Sequence, residues 1–199
     1  MNLANIEVKI LGLGGSMRQP SHTLTVLNMA LDAAGQSGAV TELIDLRELK
    51  LPLYFDTRRL EDFPDPEYIR QYLDKFKEAD GFIFCAPTYH GTPSASFKNA
   101  LDFLEFLPRR PNLYLTGKVG GLLAVASGTT GGPTCLTSLI YNARALRLLV
   151  APGSTHVSPT KRVFDQAGQL TDEKLALQVA ELGAEVTRLA RLLKAERAL

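Results

Sequence analysis

Apolar positions along the chain gather in five short runs, each followed by a stretch with helical spacing. The runs are Val8–Leu13, Val40–Leu46, Gly81–Cys85, Val119–Ala126 and Leu148–Val157, the last interrupted by Pro152 and Gly153. Short runs that are apolar throughout suit strands covered on both faces. In the first intervening stretch Leu24, Leu27, Leu31 and Ala34 step by three and four, which puts them on one helical stripe. Asp65-Pro66-Glu67 is a helix start, with a capping Asp, Pro in the first turn and Glu at the positive end. Ile69, Tyr72, Leu73 and Phe76 form the apolar face behind it. Phe97, Leu101 and Leu104 mark a third helix. Pro133 opens a fourth, with Leu136, Leu139, Ile140 and Ala143 inside. Thr171-Asp172-Glu173 opens the last, striped by Leu175, Val179, Leu182, Val186 and Leu189.

Strand alternating with helix implies the α/β class, a parallel sheet with right-handed crossovers and helices on both faces. Residues 1–199 read as a single domain, without repeat or linker, and 108–116 as a long loop before the fourth strand. In such sheets ligands sit beyond the carboxyl ends of the strands, so the loops after strands one, three and four are the places to look for chemistry.

The first loop runs Gly14-Gly15-Ser16-Met17-Arg18-Gln19-Pro20-Ser21-His22-Thr23. Glycine lets backbone approach an anion, and the N–H groups at a helix start point at it. Ser16, Ser21 and Thr23 offer hydroxyls, and Arg18 a planar charged fork. Two better-known phosphate motifs are absent: Met17 stands where a dinucleotide fingerprint needs its third glycine, and no Gly-Lys-Ser/Thr triplet occurs. A plain strand-to-helix turn capped by Ser21 is the simpler alternative. The second loop, Ala86-Pro87-Thr88-Tyr89-His90-Gly91-Thr92-Pro93-Ser94, is stiffened by two prolines. It could line a flat heteroaromatic ring with Pro87, Thr88, Tyr89 and His90, or merely turn and cap the next helix at Ser94 or Ser96. The third, Ser127-Gly128-Thr129-Thr130-Gly131-Gly132-Pro133, is rich in glycine and hydroxyls and could cradle the polar side of such a ring; it could equally be a flexible turn.

Composition narrows the class. With 199 residues, 45% apolar, 22% charged and a net charge of +1, the chain matches an ordinary globular protein. It offers no basic block for nucleic acid. No apolar run is long enough for a bilayer, and Met1–Glu7 has no basic n-region or long h-region, so no signal peptide is expected. Cys85 and Cys135 form no disulfide framework or metal spacing, and a cytoplasmic, reduced protein is expected.

Together the loops resemble the NADPH-dependent FMN reductase family. The match rests on Gly15-Ser16-Met17-Arg18-Gln19-Pro20-Ser21, on Pro87-Thr88-Tyr89 with Lys98-Asn99-Ala100-Leu101-Asp102, and on Ser127 to Gly132. The resemblance implies a flavodoxin-like three-layer sandwich with a five-stranded parallel sheet in the order 2-1-3-4-5. It implies FMN, its phosphate on Ser16, Arg18, Ser21 and Thr23 with His22 in the same loop. Pro87, Thr88, Tyr89 and His90 would meet the ring, with Ser127, Gly128 and Gly131 near it. It further implies NADPH or NADH as co-substrate, a small acceptor (flavin, quinone, azo compound or metal oxyanion), and a homodimer or homotetramer. The hydride chemistry would belong to the flavin, so no side chain is named as catalytic. The alternative is an electron carrier or redox sensor of the same fold that does not turn over with NAD(P)H.

Other residues invite function. His22, His90 and His156 are scattered, without metal-ligand spacing. Cys135, near a helix start, is expected to have a lowered pKa. Arg58-Arg59 and Arg109-Arg110 could meet the 2′-phosphate of NADPH or be solvated surface. Phe103, Phe106 and Leu107 extend past one helical face, which predicts either a self-association surface or a wide core contact.

Overall fold

A computed structural model describes residues 6–57, 59–107 and 113–197. The strands are β1 (Lys9–Gly14), β2 (Val40–Asp45), β3 (Gly81–Tyr89), β4 (Thr92–Pro93), β5 (Val119–Val125), β6 (Leu149–Val150) and β7 (Thr155–Val157). The helices are α1 (His22–Gln36), α2 (Pro66–Glu78), α3 (Ala95–Asp102), α4 (Gly131–Ala145), α5 (Thr160–Val163) and α6 (Glu173–Arg197). The sheet runs β2-β1-β3-β5-β6. This is the expected order of the five long segments, and every pairing along it is parallel.

Strand alternation divides the core in two. Leu11, Leu13, Phe82, Phe84, Ala86, Leu122 and Ala124 face α2, α3 and α4. Ile10, Ile83, Cys85, Leu123 and Val125 face α1 and α6. On that second side a Cβ at Gly183 would stand 2.1 Å from the Ala30 carbonyl oxygen; α6 can lie this close to α1 because position 183 has no side chain. Ser21, Asp65 and Ser94 cap α1, α2 and α3, accepting from the amides of Leu24, Tyr68 and Phe97 at 3.2, 3.0 and 3.3 Å.

Three features depart from the sequence expectation. The fifth run is two strands, not one. Gly120 pairs with Val150 and Leu123 with Thr155, so two residues of β5 face the four from Ala151 to Ser154. Pro152 and Gly153 form this bulge, and Ser154 Oγ accepts the Leu122 amide at 3.1 Å in place of a ladder carbonyl. Next, β3 continues through Pro87, Thr88 and Tyr89, which the sequence placed in a loop, and folds back on β4. β1 stops at Gly14, opposite Cys85, so Pro87 lies past that neighbour, where its missing N–H costs no bond on that side. Finally, β2 is an edge strand whose first half is largely exposed, rather than one covered on both faces.

The aromatic excess after α3 is internal. Phe103 and Leu107 are buried, and Phe103 packs on Tyr54 and Phe63 with ring centroids 5.4 and 5.0 Å apart. The segment between β2 and α2 supplies these partners. Asn99 ties it down, accepting the Tyr54 amide at 2.8 Å and donating to the Pro52 carbonyl at 2.9 Å. A wide core contact, rather than a self-association surface, accounts for those residues.

Candidate functional site

β1 delivers the chain to the carboxyl edge of the sheet at Gly14. Gly15 then takes a positive φ of 103°, and a Cβ there would meet Asp45 Oδ1 at 2.7 Å. This left-handed residue turns the loop across the end of β2. Ser16 Oγ accepts the Arg18 amide at 3.2 Å, and Ser21 Oγ accepts the Leu24 amide at 3.2 Å. In both contacts the hydroxyl acts as acceptor, so each hydroxyl proton stays free to donate to an anion. The amides of His22 and Thr23 lie in the first turn of α1, beyond reach of any earlier helical carbonyl. No acidic residue occupies that turn, and no carboxylate among the described residues pairs with the Arg18 guanidinium.

The end of β3 and the loop after β5 complete a cavity of about 240 Å³. From the first loop it takes Ser16, Arg18, Ser21, His22 and Thr23; from β3, Pro87, Thr88 and Tyr89; from the third loop, Ser127. Thr88 Oγ1 is buried and has no hydrogen-bond partner. It lies near enough to the Cys135 thiol to influence it, though outside hydrogen-bond geometry. Tyr89 is 55% exposed. Thr130 precedes α4 without capping it through its side chain, so this helix too presents uncapped first-turn amides beside the third loop.

Three expected residues fall outside the cavity lining. His90, exposed and left-handed at φ 51°, forms the tip of the β3–β4 hairpin with Gly91. Extension of β3 carries it past the rim. Gly128 stands in open space, and Gly131 begins α4, where a Cβ would press on Thr88 Cγ2 at 3.2 Å.

Pro20 of the first loop also lines the cavity, as do Val125, Ala126 and Thr160, none of them named as site residues from the sequence. Thr160 arrives because its amide donates to the Ala126 carbonyl at 3.0 Å. The rule pointing to carboxyl ends of strands applies equally to the fifth, and Ser158-Pro159-Thr160 follows it directly.

Burial, with a smaller contribution from the nearby Arg18 charge, holds the His22 imidazole below its ordinary pKa. Burial pushes the Cys135 thiol up, and the neighbouring Thr88 hydroxyl offsets only part of that. This corrects the expectation of a lowered pKa: Cys135 is a core residue, and desolvation outweighs the helix start. Cys85 is likewise buried and raised, and its thiol donates to the Thr23 carbonyl at 3.3 Å. His156 shares a 3.0 Å hydrogen bond with Ser158. No His/Cys/Asp/Glu group among the described residues could hold a metal. Arg59 is exposed and stands 4.0 Å from Asp62. Arg58, Arg109 and Arg110, and with them most of the expected 108–116 loop, lie outside the described residues.

Two other concavities do not suit a phosphate. One of about 410 Å³, between the β5-side bulge and α6, is lined by Glu181 and Glu185. One of about 280 Å³, beside β2 and α2, holds Asp45 and Glu48 opposite Lys75, whose ammonium already pairs with Glu42.

The sequence from residue 8 to 162 matches the family model for NADPH-dependent FMN reductase. The chain belongs to that family. FMN is the family's cofactor, NAD(P)H its electron source, and flavin-mediated oxidoreduction its activity class. Among similar proteins, an iron-sulfur flavoprotein of Methanocaldococcus jannaschii is 29% identical, the match covering 94% of this chain and all of that one. An NAD(P)H-dependent FMN reductase of Pseudomonas aeruginosa is 26% identical over 84% of this chain and 87% of its own. In fold, the flavoenzyme NAD(P)H:(acceptor) oxidoreductase FerB of Paracoccus denitrificans superimposes with a TM-score of 0.71 at 19% identity, covering 92% of this chain and 97% of that one. The first of these relatives marks a limit. An iron-sulfur cluster takes four thiolates, or two thiolates and two imidazoles, at one place, whereas this FMN reductase has two cysteines, buried on opposite faces of the sheet, and no His/Cys/Asp/Glu group among the described residues is placed to hold a metal. Its residues do not fit a cluster.

Proposed function

We propose that this chain holds FMN in the 240 Å³ cavity and reduces a small-molecule acceptor with electrons from NADPH or NADH. Ser16, Arg18, Ser21, His22 and Thr23 bind the phosphate. Pro87, Thr88, Tyr89 and Ser127 bind the ring. The observation that carries this assignment is the unspent hydrogen-bonding capacity converging there: an unpaired guanidinium, two free hydroxyl protons, first-turn amides and the orphaned Thr88 Oγ1.

When bound, FMN supplies the hydride chemistry, and the protein contributes position and electrostatics. Arg18 and the α1 amides fix the phosphate as charge-assisted donors. Thr88 Oγ1 offers a polar contact at the floor of the site. Exposed Tyr89 leaves one side of the cavity open for the nicotinamide donor and the acceptor, which exchange there. Acceptors of the family's usual kind, a flavin, quinone, azo compound or metal oxyanion, need no further cofactor.

The chain acts as one FMN-binding unit in this reading. Cytoplasmic residence is supported by its two buried, unpaired thiols, which suit a reducing compartment. No helix among the described residues is long and apolar enough to cross a membrane. Assembly as a homodimer or homotetramer is supported by exposed apolar side chains on the segment after β2, Leu53 at 82% and Phe55 at 50%.

The test is spectroscopic. The purified protein is given FMN, freed of excess, and mixed with NADPH or NADH without oxygen. Retained flavin absorbance that bleaches supports the proposal. Retained flavin that neither donor bleaches turns the reading to a carrier or sensor. No retention and no binding at high micromolar FMN would overturn it.

A further inference from the structure

Resting on the FMN reading above, we propose that His22 is a proton-accepting ligand of the flavin phosphate: neutral without the phosphate, protonated with it, so that FMN binding takes up a proton.

The geometry isolates this ring for the task. His22 is the first residue of α1 and lines the cavity with Arg18, Ser16 and Ser21. One ring face is stacked on Phe164, centroids 4.1 Å apart and planes 16° from parallel. Phe164 belongs to a strap after α5 that is pinned to the same helix start. The Thr25 hydroxyl donates to the Gly168 carbonyl at 3.2 Å, and Phe164 bridges back to Leu170. Stacking holds the ring plane and leaves the ring edge open: neither ring nitrogen has a protein hydrogen-bond partner among the described residues, and neither is a buried, orphaned atom. Two solvent-accessible nitrogens without protein partners therefore stand at a cavity rich in anion donors.

The surrounding charges are few. From its own loop His22 faces Arg18, whose charge opposes protonation. On α5 and the strap, Lys161, Arg162 and Asp165 are exposed, and the Asp165 carboxylate accepts the Gln169 amide at 2.8 Å. From β3 come the Cys85 thiol, engaged by the Thr23 carbonyl, and the Tyr89 phenol at the rim. Burial is the larger influence against protonation, the Arg18 charge adds to it, and no carboxylate among the described residues offsets either at the ring. Without an anion the imidazole is therefore neutral at neutral pH.

A phosphate monoester brings roughly −1.5 to −2 charges at pH 7. Seated between Arg18 and His22, it reverses the sign of the local field and gives the ring edge an acceptor. Linkage then requires affinity to rise as pH falls through 7, by up to tenfold per unit for one proton. The gain ends near pH 6, where the phosphate itself takes a proton. A flavin without the phosphate gains nothing, so this one residue would sharpen preference for FMN over riboflavin.

The experiment is calorimetric titration of FMN at pH 7 in two phosphate-free buffers of different ionisation enthalpy, which counts protons taken up per FMN. The native protein and His22→Asn are compared, because the variant reports the phosphate's own proton balance. An excess uptake of at least about a third of a proton in the native protein, with Kd tightening from pH 8 to 6.5 that flattens in the variant, is expected. Should His22→Asn fail to fold, the His22 ring shifts of the isotopically labelled native protein are titrated with and without FMN; an upward move of the midpoint by a unit or more is expected. FMN binding with equal proton counts, or with an unmoved His22 midpoint, overturns this proposal and leaves the flavin site standing. No FMN binding at all overturns both.

Discussion

At the amino edge of the sheet, Asp80 accepts the Lys9 amide at 3.1 Å, Lys194 Nζ at 2.8 Å and Arg197 Nη2 at 3.0 Å. Lys118 donates to the last carbonyls of α2, Phe76 and Lys77, at 2.8 and 2.7 Å, and Lys9 pairs with Glu42 at 2.7 Å. At the carboxyl edge, among the described residues, Arg18 has no carboxylate, Ser16 and Ser21 keep their protons, and Thr88 Oγ1 has no partner. Both edges expose backbone ends and carry charge. One edge has answered its polar groups with protein, whereas the other leaves them without protein partners among the described residues. On the proposed FMN reading, the difference separates residues that hold the fold from residues that hold the flavin, and substitutions on the two sides should split stability from binding.

The largest effect is expected from Arg18→Ala. A charge-assisted hydrogen bond contributes about 1.5–3 kcal/mol, so FMN affinity should fall by roughly ten- to a hundredfold, read from quenching of flavin fluorescence. The melting temperature of the ligand-free protein should stay within about 1 °C, because Arg18 is exposed and its guanidinium pairs with nothing among the described residues. Unchanged affinity would remove phosphate from the first loop.

Asp80→Ala is the mirror experiment. Asp80 is buried and holds an amide and two cations from α6. Removing it should destabilise the protein by about 2 kcal/mol, less than for a fully buried pair because Lys194 and Arg197 are partly exposed. For a chain of this size that lowers the melting temperature by about 4–8 °C, with FMN affinity in the folded protein unaltered.

The same edge gives a pH prediction. Burial, with Arg197 and Lys194 nearby, lowers the Lys118 pKa to about 8 despite Asp80. Below pH 8 both folded and unfolded states carry the charge and the folded state bears its full cost. Between about 8 and the ordinary lysine value the unfolded state binds more protons than the folded one, so stability rises with pH across that window. A neutral amine still has two N–H groups for the two carbonyls. Lys118→Met should flatten the rise in urea-denaturation midpoints between pH 7.5 and 9.5. A midpoint that instead falls across this range in the native protein, and does so equally in the variant, would show that Lys118 does not bear this cost.

The two edges were unequally legible. Periodicity located the strands and the long helices because their burial is continuous, as with Ile69, Tyr72, Leu73 and Phe76 of α2. Local signals singled out Ser16, Arg18, Ser21 and Thr23, which the structure gathers on one cavity, since glycine, hydroxyl and guanidinium lie close together in the sequence. Thr160 was within reach of the same strand-end rule, applied to the fifth strand, whereas Phe164 was not legible: it meets His22 only when the segment after β7 packs on α1. His90 stands outside the cavity lining because β3 runs on to Tyr89, and no local pattern says where that strand stops. The amino edge was invisible for the same reason as Phe164, because Asp80, Lys118 and Arg197 meet only in the folded chain.

The smallest effect is the most diagnostic. Thr88→Val replaces the orphaned hydroxyl with a methyl group of nearly the same size. A buried polar atom without a partner costs about 1–3 kcal/mol, so if Thr88 Oγ1 serves only the fold, its removal should stabilise the protein with FMN as much as without. If it waits for the flavin, the ligand-free protein should gain about 1 kcal/mol while FMN binding weakens by roughly fivefold, one neutral hydrogen bond's worth. Opposite signs from one substitution are hard to obtain from packing, because a steric fault would lower both quantities. Thermal melts with and without saturating FMN give both numbers from one sample. A gain of equal size in both states would return Thr88 to the core and leave the ring end of the cavity to Pro87, Tyr89 and Ser127.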